Sequence, residues 1–106
     1  MARPLHYAAL GSSFAAGPGI SPIIDQPAIR SGRNYPHVLA ERLDADLTDV
    51  TIPGATTATI LDTPQITVTG VRFPPQLRLL SESADLVTIT AGGNDLGYAA
   101  RTAPTP

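Results

Sequence analysis

The alternation of apolar and polar positions along the chain predicts three short strands separated by helices. Leu5–Leu10 is an apolar run that stops at Gly11, which favours a strand buried on both faces. Leu47–Ile52 alternates like a second strand, and the β-branched run Asp85–Thr90 predicts a third before Gly92-Gly93. Strands that alternate with helices are typical of a doubly wound parallel sheet. We therefore expect an α/β fold with three layers.

The helix between the first two strands should begin at Asn34, because Asn is a favourable N-cap and Pro36 is tolerated in a first helical turn. Shorter helices are expected within Gly54–Asp62 and after Pro74-Pro75. The apolar stripe that we expect the first helix to bury consists of Tyr35, Val38, Leu39 and Leu43.

The remaining segments are less regular. Gly17–Arg33 is interrupted by prolines and glycines and is expected to be a long excursion. Thr63–Val71 gives no clear pattern, and the Pro- and Thr-rich end Arg101–Pro106 predicts a loose tail. A chain of 106 residues has the length of one small domain, so residues 1–106 are expected to form a single unit.

Composition narrows the class of protein. The 9 glycines and 11 prolines are compatible with disorder, but Leu, Ile, Val and Phe make up about a quarter of the chain, enough for a core. No lysine is present and the 7 basic residues are scattered arginines, which argues against a nucleic-acid partner. No apolar run approaches the ~20 residues of a membrane span. The chain is therefore expected to be globular and without a membrane span.

The residues that bind metals and form disulfides are scarce. There is no cysteine, and the two histidines, His6 and His37, are far apart in sequence, so we expect no metal and no cofactor. The first residues lack the apolar stretch of a signal peptide. Together these features predict a cytoplasmic location.

Candidate chemistry lies in the turns that follow the three strands, Gly11–Gly17, Pro53–Thr57 and Gly92–Asp95. In a doubly wound sheet ligands bind outside the carboxyl ends of the strands, so these turns should converge on one crevice. Ser12 or Ser13 offers a hydroxyl nucleophile there. The absence of lysine excludes a P-loop, and Ala15 stands where the nucleophile elbow of α/β-hydrolases needs glycine.

The second and third turns offer groups that stabilise negative charge. Gly54 presents a backbone N–H at the start of a predicted helix, where anions bind. Asn94 presents a side-chain amide that can donate to a developing oxyanion. Each turn taken singly is also compatible with a plain structural turn, because Ser, Gly and Asn are common turn residues.

Taken together and in this order, the turns resemble the first three sequence blocks of the SGNH (GDSL-type) hydrolase family. Gly11-Ser12-Ser13 stands where the family has Gly-Asp-Ser. The resemblance, to the actinobacterial secreted-esterase branch, covers about Leu5 to Tyr98 and implies a flavodoxin-like fold that is incomplete at its C-terminal end. The segments that carry it are Tyr7–Gly19, Arg30–Pro36, Gly54–Thr57 and Gly92–Asp95.

The resemblance also implies roles. Ser13 would be the nucleophile and would add its own backbone N–H to the oxyanion hole. Gly54 would supply a second N–H and Asn94 a side-chain donor. The substrate would be a carboxylic ester, either a small molecule or a lipid, that passes through an acyl-enzyme intermediate.

Three departures from the family pattern qualify these roles. Ser12 replaces the aspartate beside the nucleophile, which leaves Ser12 a remote second candidate. The branch carries cysteines near the positions of Pro27-Ala28-Ile29 and Thr51-Ile52-Pro53, where this chain has none. The Asp-x-x-His block that supplies the base has no counterpart, so the chain is expected to be slow or inactive alone.

Neither histidine is expected to replace that base. His6 precedes Ser13 by seven residues on an extended strand, which places it roughly 20 Å away. His37 is expected in a helix that begins at the opposite end of the sheet from the strands' carboxyl ends. The alternatives to an esterase are therefore a catalytically dead remnant, a non-catalytic binding module, or a flavodoxin-like binder of phosphate or nucleotide. Self-association through an exposed sheet edge is also expected.

Overall fold

A computed structural model of the chain describes residues 4–97. The expected tail Arg101–Pro106 lies outside these residues. In chain order the elements are β1 (Leu5–Gly11), α1 (Ser13–Ala16), β2 (Ile23–Asp25), β3 (Arg30–Ser31), α2 (Tyr35–Leu43), β4 (Ala45–Asp49), α3 (Thr57–Leu61), β5 (Gln65–Ile66), β6 (Arg72–Phe73), a 3₁₀ helix (Gln76–Leu79) and β7 (Leu86–Thr90).

The central sheet has the strand order β4-β1-β7, and both pairings are parallel. The first and last predicted strands are confirmed. The middle strand begins and ends earlier than Leu47–Ile52, because β4 pairs in register with β1 from Ala45 opposite Leu5. Backbone bonding nevertheless continues past its end, since Ile52 N–H donates to the carbonyl of Gly11 at 3.0 Å. The prediction thus located the strand but missed its limits.

Apolar side chains cover both faces of this sheet. On one face Tyr7 and Ala9 pack with Ala40 of α2. On the other face Ala8 and Leu10 pack with a separate cluster. The second cluster is completed by Val50, Ala55 and Ile60. Helices on both faces of a parallel sheet give the three-layer α/β arrangement that the sequence predicted.

The start of α2 is as expected and its buried face is not. Asn34 caps the helix by accepting from the N–H of His37 at 3.0 Å. Pro36 and Ala40 are its buried residues, because their spacing of one turn and small size let the helix approach the sheet closely. Of the predicted stripe only Leu39 packs against the core; Tyr35, Val38 and Leu43 are exposed.

The segments without a sequence pattern form short antiparallel pairs. β2 and β3 pair inside the excursion, and β5 and β6 form a hairpin across the segment that gave no pattern. The helix expected after Pro74 is a single 3₁₀ turn. Such ladders of two or three residues are stabilised by the rest of the fold, so no local periodicity in the sequence predicts them.

Arg30 holds the excursion to the end of β4. Its Nε donates to the carbonyl of Thr51 at 2.9 Å and lies 3.6 Å from the carboxylate of Asp49, while NH1 donates to Asp25 at 3.0 Å. The Arg30 side chain is only 12% exposed. This Arg30 network joins the two neighbourhoods in which the related branch carries cysteines.

Strand β7 lies at one edge of the described sheet. Val87 and Ile89, on the same face as Ala8 and Leu10, are 39% and 59% exposed. An apolar edge strand invites pairing with another copy. We expect the 106-residue chain to self-associate and Ile89→Lys to shift it towards monomer, because a charge on an edge strand opposes pairing.

Sedimentation velocity at several protein concentrations tests this expectation. The matched control is Ile66→Lys, a charge placed on the β5–β6 hairpin at a position that is 69% exposed. A monomer that persists for the unmodified chain at every concentration contradicts it.

Candidate active site

The turns after β1, β4 and β7 lie at the same end of the sheet, where the strands have their carboxyl ends, because the three strands are parallel. Hydrogen bonds join these turns directly. Ser12 N–H donates to the carbonyl of Thr90 at 2.9 Å, which ties the first turn to the end of β7. The Asn94 amide donates to the carbonyl of Ala55 at 2.8 Å, which ties the third turn to the second. The segments that carry Ser13, Gly54 and Asn94 therefore belong to one connected structure.

The first turn separates its two serines. Ser12 is 3% exposed and its hydroxyl lies 3.5 Å from the Thr90 carbonyl, whereas Ser13 is half-buried at the start of α1. Gly11 has a φ of +152°, and a Cβ there would lie 2.6 Å from the Thr90 oxygen. Only glycine allows this close approach of β1 to β7. The geometry leaves Ser13 as the more accessible hydroxyl.

Gln76, on the 3₁₀ helix, holds the first turn through hydrogen bonds to Gly11. Its Oε1 accepts from the Gly11 N–H at 2.8 Å and its Nε2 donates to the Gly11 carbonyl at 3.0 Å. The side chain is 1% exposed, so these bonds are sheltered from water. Sequence reasoning missed Gln76, because a glutamine after two prolines carries no local signal of a distant partner.

The second turn is fixed by Gln65. Its amide donates to the carbonyl of Pro53 at 2.9 Å, beside Gly54. Gly54 has a φ of +88°, and a Cβ there would lie 3.3 Å from the same amide nitrogen. The positive φ favours glycine at this position, and a Cβ would also crowd the Gln65 amide. Thr56 then caps α3 in a capping box with Thr59.

The third turn is fixed by Asp95. Its carboxylate accepts from the N–H of Thr57 at 3.0 Å and from the Thr57 hydroxyl. The hydroxyl of Thr57, with its N–H, lowers the pKa of Asp95 below the ordinary value of 3.8. This pair holds the turn that carries Asn94 against the start of α3.

A lowered carboxyl pKa predicts how stability changes with pH. Asp95 stabilises the fold above its ordinary pKa of 3.8, and this contribution is lost as the pH falls through the lowered value. We expect Asp95→Asn to have a lower urea midpoint than the unmodified chain at neutral pH, with the gap closing below about pH 3.8. Urea unfolding from pH 7 to pH 2 measures this, and Glu82→Gln, at an exposed position, is the control. A gap independent of pH would contradict it.

The two histidines are held by partners other than Ser13. His6 Nδ1 lies 3.0 Å from the hydroxyl of Ser83, and His37 Nδ1 lies 2.7 Å from the side-chain oxygen of Asn34. Within residues 4–97 neither ring is hydrogen-bonded to Ser13. That neither histidine replaces the missing base remains a prediction.

The expected position of α2 is wrong in one respect. Its first turn lies at the carboxyl ends of the strands, not at the opposite end: Asn34 donates to the carbonyl of Ala16 at 3.2 Å, and the Tyr35 hydroxyl lies 2.7 Å from that of Thr90. The reason is geometric, because a helix that connects parallel strands runs antiparallel to them. His37 is thus at the same end of the sheet as Ser13.

Neither a cluster of metal ligands nor a membrane-spanning helix is found among residues 4–97. In the part of the chain that the structure describes, no group of three His, Asp or Glu side chains is placed to hold a metal ion. Across residues 4–97, no helix combines the length and the apolar character needed to cross a bilayer.

Comparison with known proteins shows the family of the chain. The model of the GDSL-like Lipase/Acylhydrolase family matches residues 9–106. The chain belongs to the GDSL-like lipase/acylhydrolase family. Within it, Lipase 2 of Streptomyces coelicolor is 47% identical over 98 residues, which span 86% of this chain and 30% of that protein.

Two crystal structures show the same fold. The extracellular lipase of Streptomyces rimosus has a TM-score of 0.71 at 29% identity, and phospholipase A1 of Streptomyces albidoflavus has 0.69 at 28%. The similarity covers 91% and 92% of this chain but 37% and 38% of those chains. The chain thus spans little more than a third of the solved relatives. Since one of them is extracellular, the expectation of a cytoplasmic location gains no support from them.

Proposed function

We propose that this chain carries the nucleophile and oxyanion-hole half of a serine hydrolase that acts on carboxylic esters. Ser13 is the nucleophile. The backbone N–H groups of Ser13 and Gly54 and the side-chain amide of Asn94 stabilise the oxyanion. The observation that supports the proposal is the set of hydrogen bonds that joins the three turns at the carboxyl ends of the strands.

The chemistry follows from these groups. The Ser13 hydroxyl oxygen attacks the ester carbonyl, its proton passes to a base, and negative charge develops on the carbonyl oxygen. The C–O bond to the alcohol then breaks, the alcohol leaves with a proton, and an acyl-enzyme forms. Water attacks this acyl group, releases the acid and restores the Ser13 hydroxyl. His6 and His37 are hydrogen-bonded to Ser83 and Asn34, so in the 106-residue chain solvent takes the proton and both steps are slow.

A second candidate is a non-catalytic module that binds a ligand in the same crevice. It is favoured by one observation, the engagement of both histidines by Ser83 and Asn34. Such a module needs no reactive serine. The reactivity of Ser13 therefore separates the two candidates.

A fluorophosphonate probe tests this reactivity without requiring turnover. We expect the native chain to be labelled at Ser13, slowly but faster than the urea-unfolded chain, since only the fold joins the three turns that carry the proposed oxyanion donors. Ser13→Ala should abolish labelling, and the matched control Ser12→Ala should retain it. Mass spectrometry of the labelled peptide identifies the site. Equal labelling of native and unfolded chain, or labelling at Ser12, would overturn the proposal.

A further inference from the structure

A cavity of about 180 Å³ lies beside Gly54. Three segments that are far apart in sequence form its walls: the excursion at residues 27–29, the loop at residues 52–54 and the hairpin tip at residues 67–68. None of these side chains carries a charge, and most are aliphatic. The cavity therefore suits an uncharged, apolar ligand rather than a phosphate or a carboxylate.

Ile29, on the cavity wall, has a strained backbone. Its φ is +52°, a conformation that β-branched residues rarely adopt. Neighbouring hydrogen bonds maintain this conformation. The Ile29 N–H donates to the carbonyl of Gln26 at 3.1 Å, and the adjacent Arg30 donates to the carbonyl of Thr51. Glycine would adopt this conformation without strain, so isoleucine is not there for the backbone. Strained residues that persist cluster at functional sites.

The walls and the proposed site share Gly54. We propose that this cavity binds the short aliphatic chain of the ester substrate and that Ile29 limits its length. The inference rests on the proposed function, because the N–H of Gly54 is the group that would hold the reacting carbonyl. An apolar cavity of ~150 Å³ accommodates benzene, so one of this size holds a chain of about six carbons. Each methylene buried should strengthen binding about fourfold.

Binding is tested first, without any reaction. The intact chain, labelled with ¹³C at its isoleucine δ1 methyls, is titrated with 1-hexanol. The resonances of Ile29 and Ile52, which line the cavity, should shift with saturation, and that of Ile66 on the outer hairpin should not. No shift, or similar shifts at all isoleucines, would overturn the inference.

Reactivity gives a second test and identifies which part of the ester enters the cavity. Two series of p-nitrophenyl phosphonates carry chains of two to ten carbons, one series on phosphorus in place of the acyl chain and one on the ester oxygen in place of the alcohol. Modification of Ser13 should accelerate about fourfold per methylene up to about six carbons in one series, and then level off. A flat dependence in both series contradicts the cavity's role. Absence of modification refutes the proposed function alone, since the hexanol titration still decides the cavity.

Variants separate this role from a structural one. Ile29→Gly relieves the positive φ while removing the wall, so we expect an unfolding midpoint close to that of the unmodified chain and a flattened chain-length dependence. Val68→Phe, at a rim position that is fully exposed, should block hexanol without affecting folding. Ile66→Ala is the control and should leave both measurements unchanged. Chain-length dependence that survives both Ile29→Gly and Val68→Phe would refute the inference.

Discussion

Ester hydrolysis by the 106-residue chain is expected to exceed the uncatalysed rate only slightly. Removing the triad from a serine protease leaves about 10³–10⁴-fold acceleration over water, which comes from the oxyanion hole and substrate binding. Here the two histidines are hydrogen-bonded to Ser83 and Asn34, and the chain covers only 37% of the S. rimosus lipase. Even this residual acceleration is therefore an upper bound. An oxyanion donor contributes ~10²–10³-fold in a competent enzyme. We therefore expect Asn94→Ala to change the rate by much less than that.

Initial rates with a short-chain p-nitrophenyl ester measure this directly. Ser13→Ala should bring the small excess rate to background, and Ser12→Ala should leave it. His37→Gln should change nothing, because His37 serves the helix cap at Asn34. A fast rate abolished by both Ser13→Ala and His37→Gln would show that His37 acts as the base. Its position at the same end of the sheet makes it the residue to examine first.

Replacing Gln76 is expected to cause a large loss of stability. In Gln76→Leu the Gly11 N–H loses its partner in a buried site, which costs about 1–3 kcal/mol. The Gly11 carbonyl keeps one bond, from Ile52 N–H at 3.0 Å, so its loss is smaller. We expect a total decrease of about 2–4 kcal/mol in the free energy of unfolding, a large fraction for a domain of this size.

Urea unfolding measures this decrease, and Arg78→Ala, exposed on the same 3₁₀ helix, should stay within about 0.5 kcal/mol of the unmodified chain. Gln76→Glu gives an independent check. Only a protonated carboxyl can both accept from and donate to Gly11, so this variant should be less destabilised at pH 4 than at pH 7. Equal stability of Gln76→Leu and the unmodified chain would show that the two bonds to Gly11 contribute little.

Strands β1 and β7 could be predicted because their apolar runs end at glycine turns, and the start of α2 because Asn34 has a strong capping preference. The buried face of α2 could not. Apolar residues occur around most of its circumference, and contact with Tyr7 and Ala9 on the sheet selects Ala40 rather than Val38. The limits of β4 were missed because they depend on its register with β1, which no local pattern encodes.

The candidate site was only partly visible in the sequence. Ser13, Gly54 and Asn94 are found from turn chemistry and family resemblance because each lies in a short motif. Gln76 and Gln65, which hold two of these turns, lie in other elements and act through single side chains, so their partners emerge only from the fold. The cavity beside Gly54 is invisible for the same reason, since its three walls meet only after folding.

The Arg30 network has a consequence for the rate and conditions of assembly. Arg30 and Thr51 are 21 positions apart, and their hydrogen bond needs only closure of this loop, an event of about 10–100 ns for loops of roughly ten residues. A disulfide between the same segments would wait seconds to hours for an oxidant. The excursion can therefore join β4 while the sheet is still forming, and thiol reductants cannot release it.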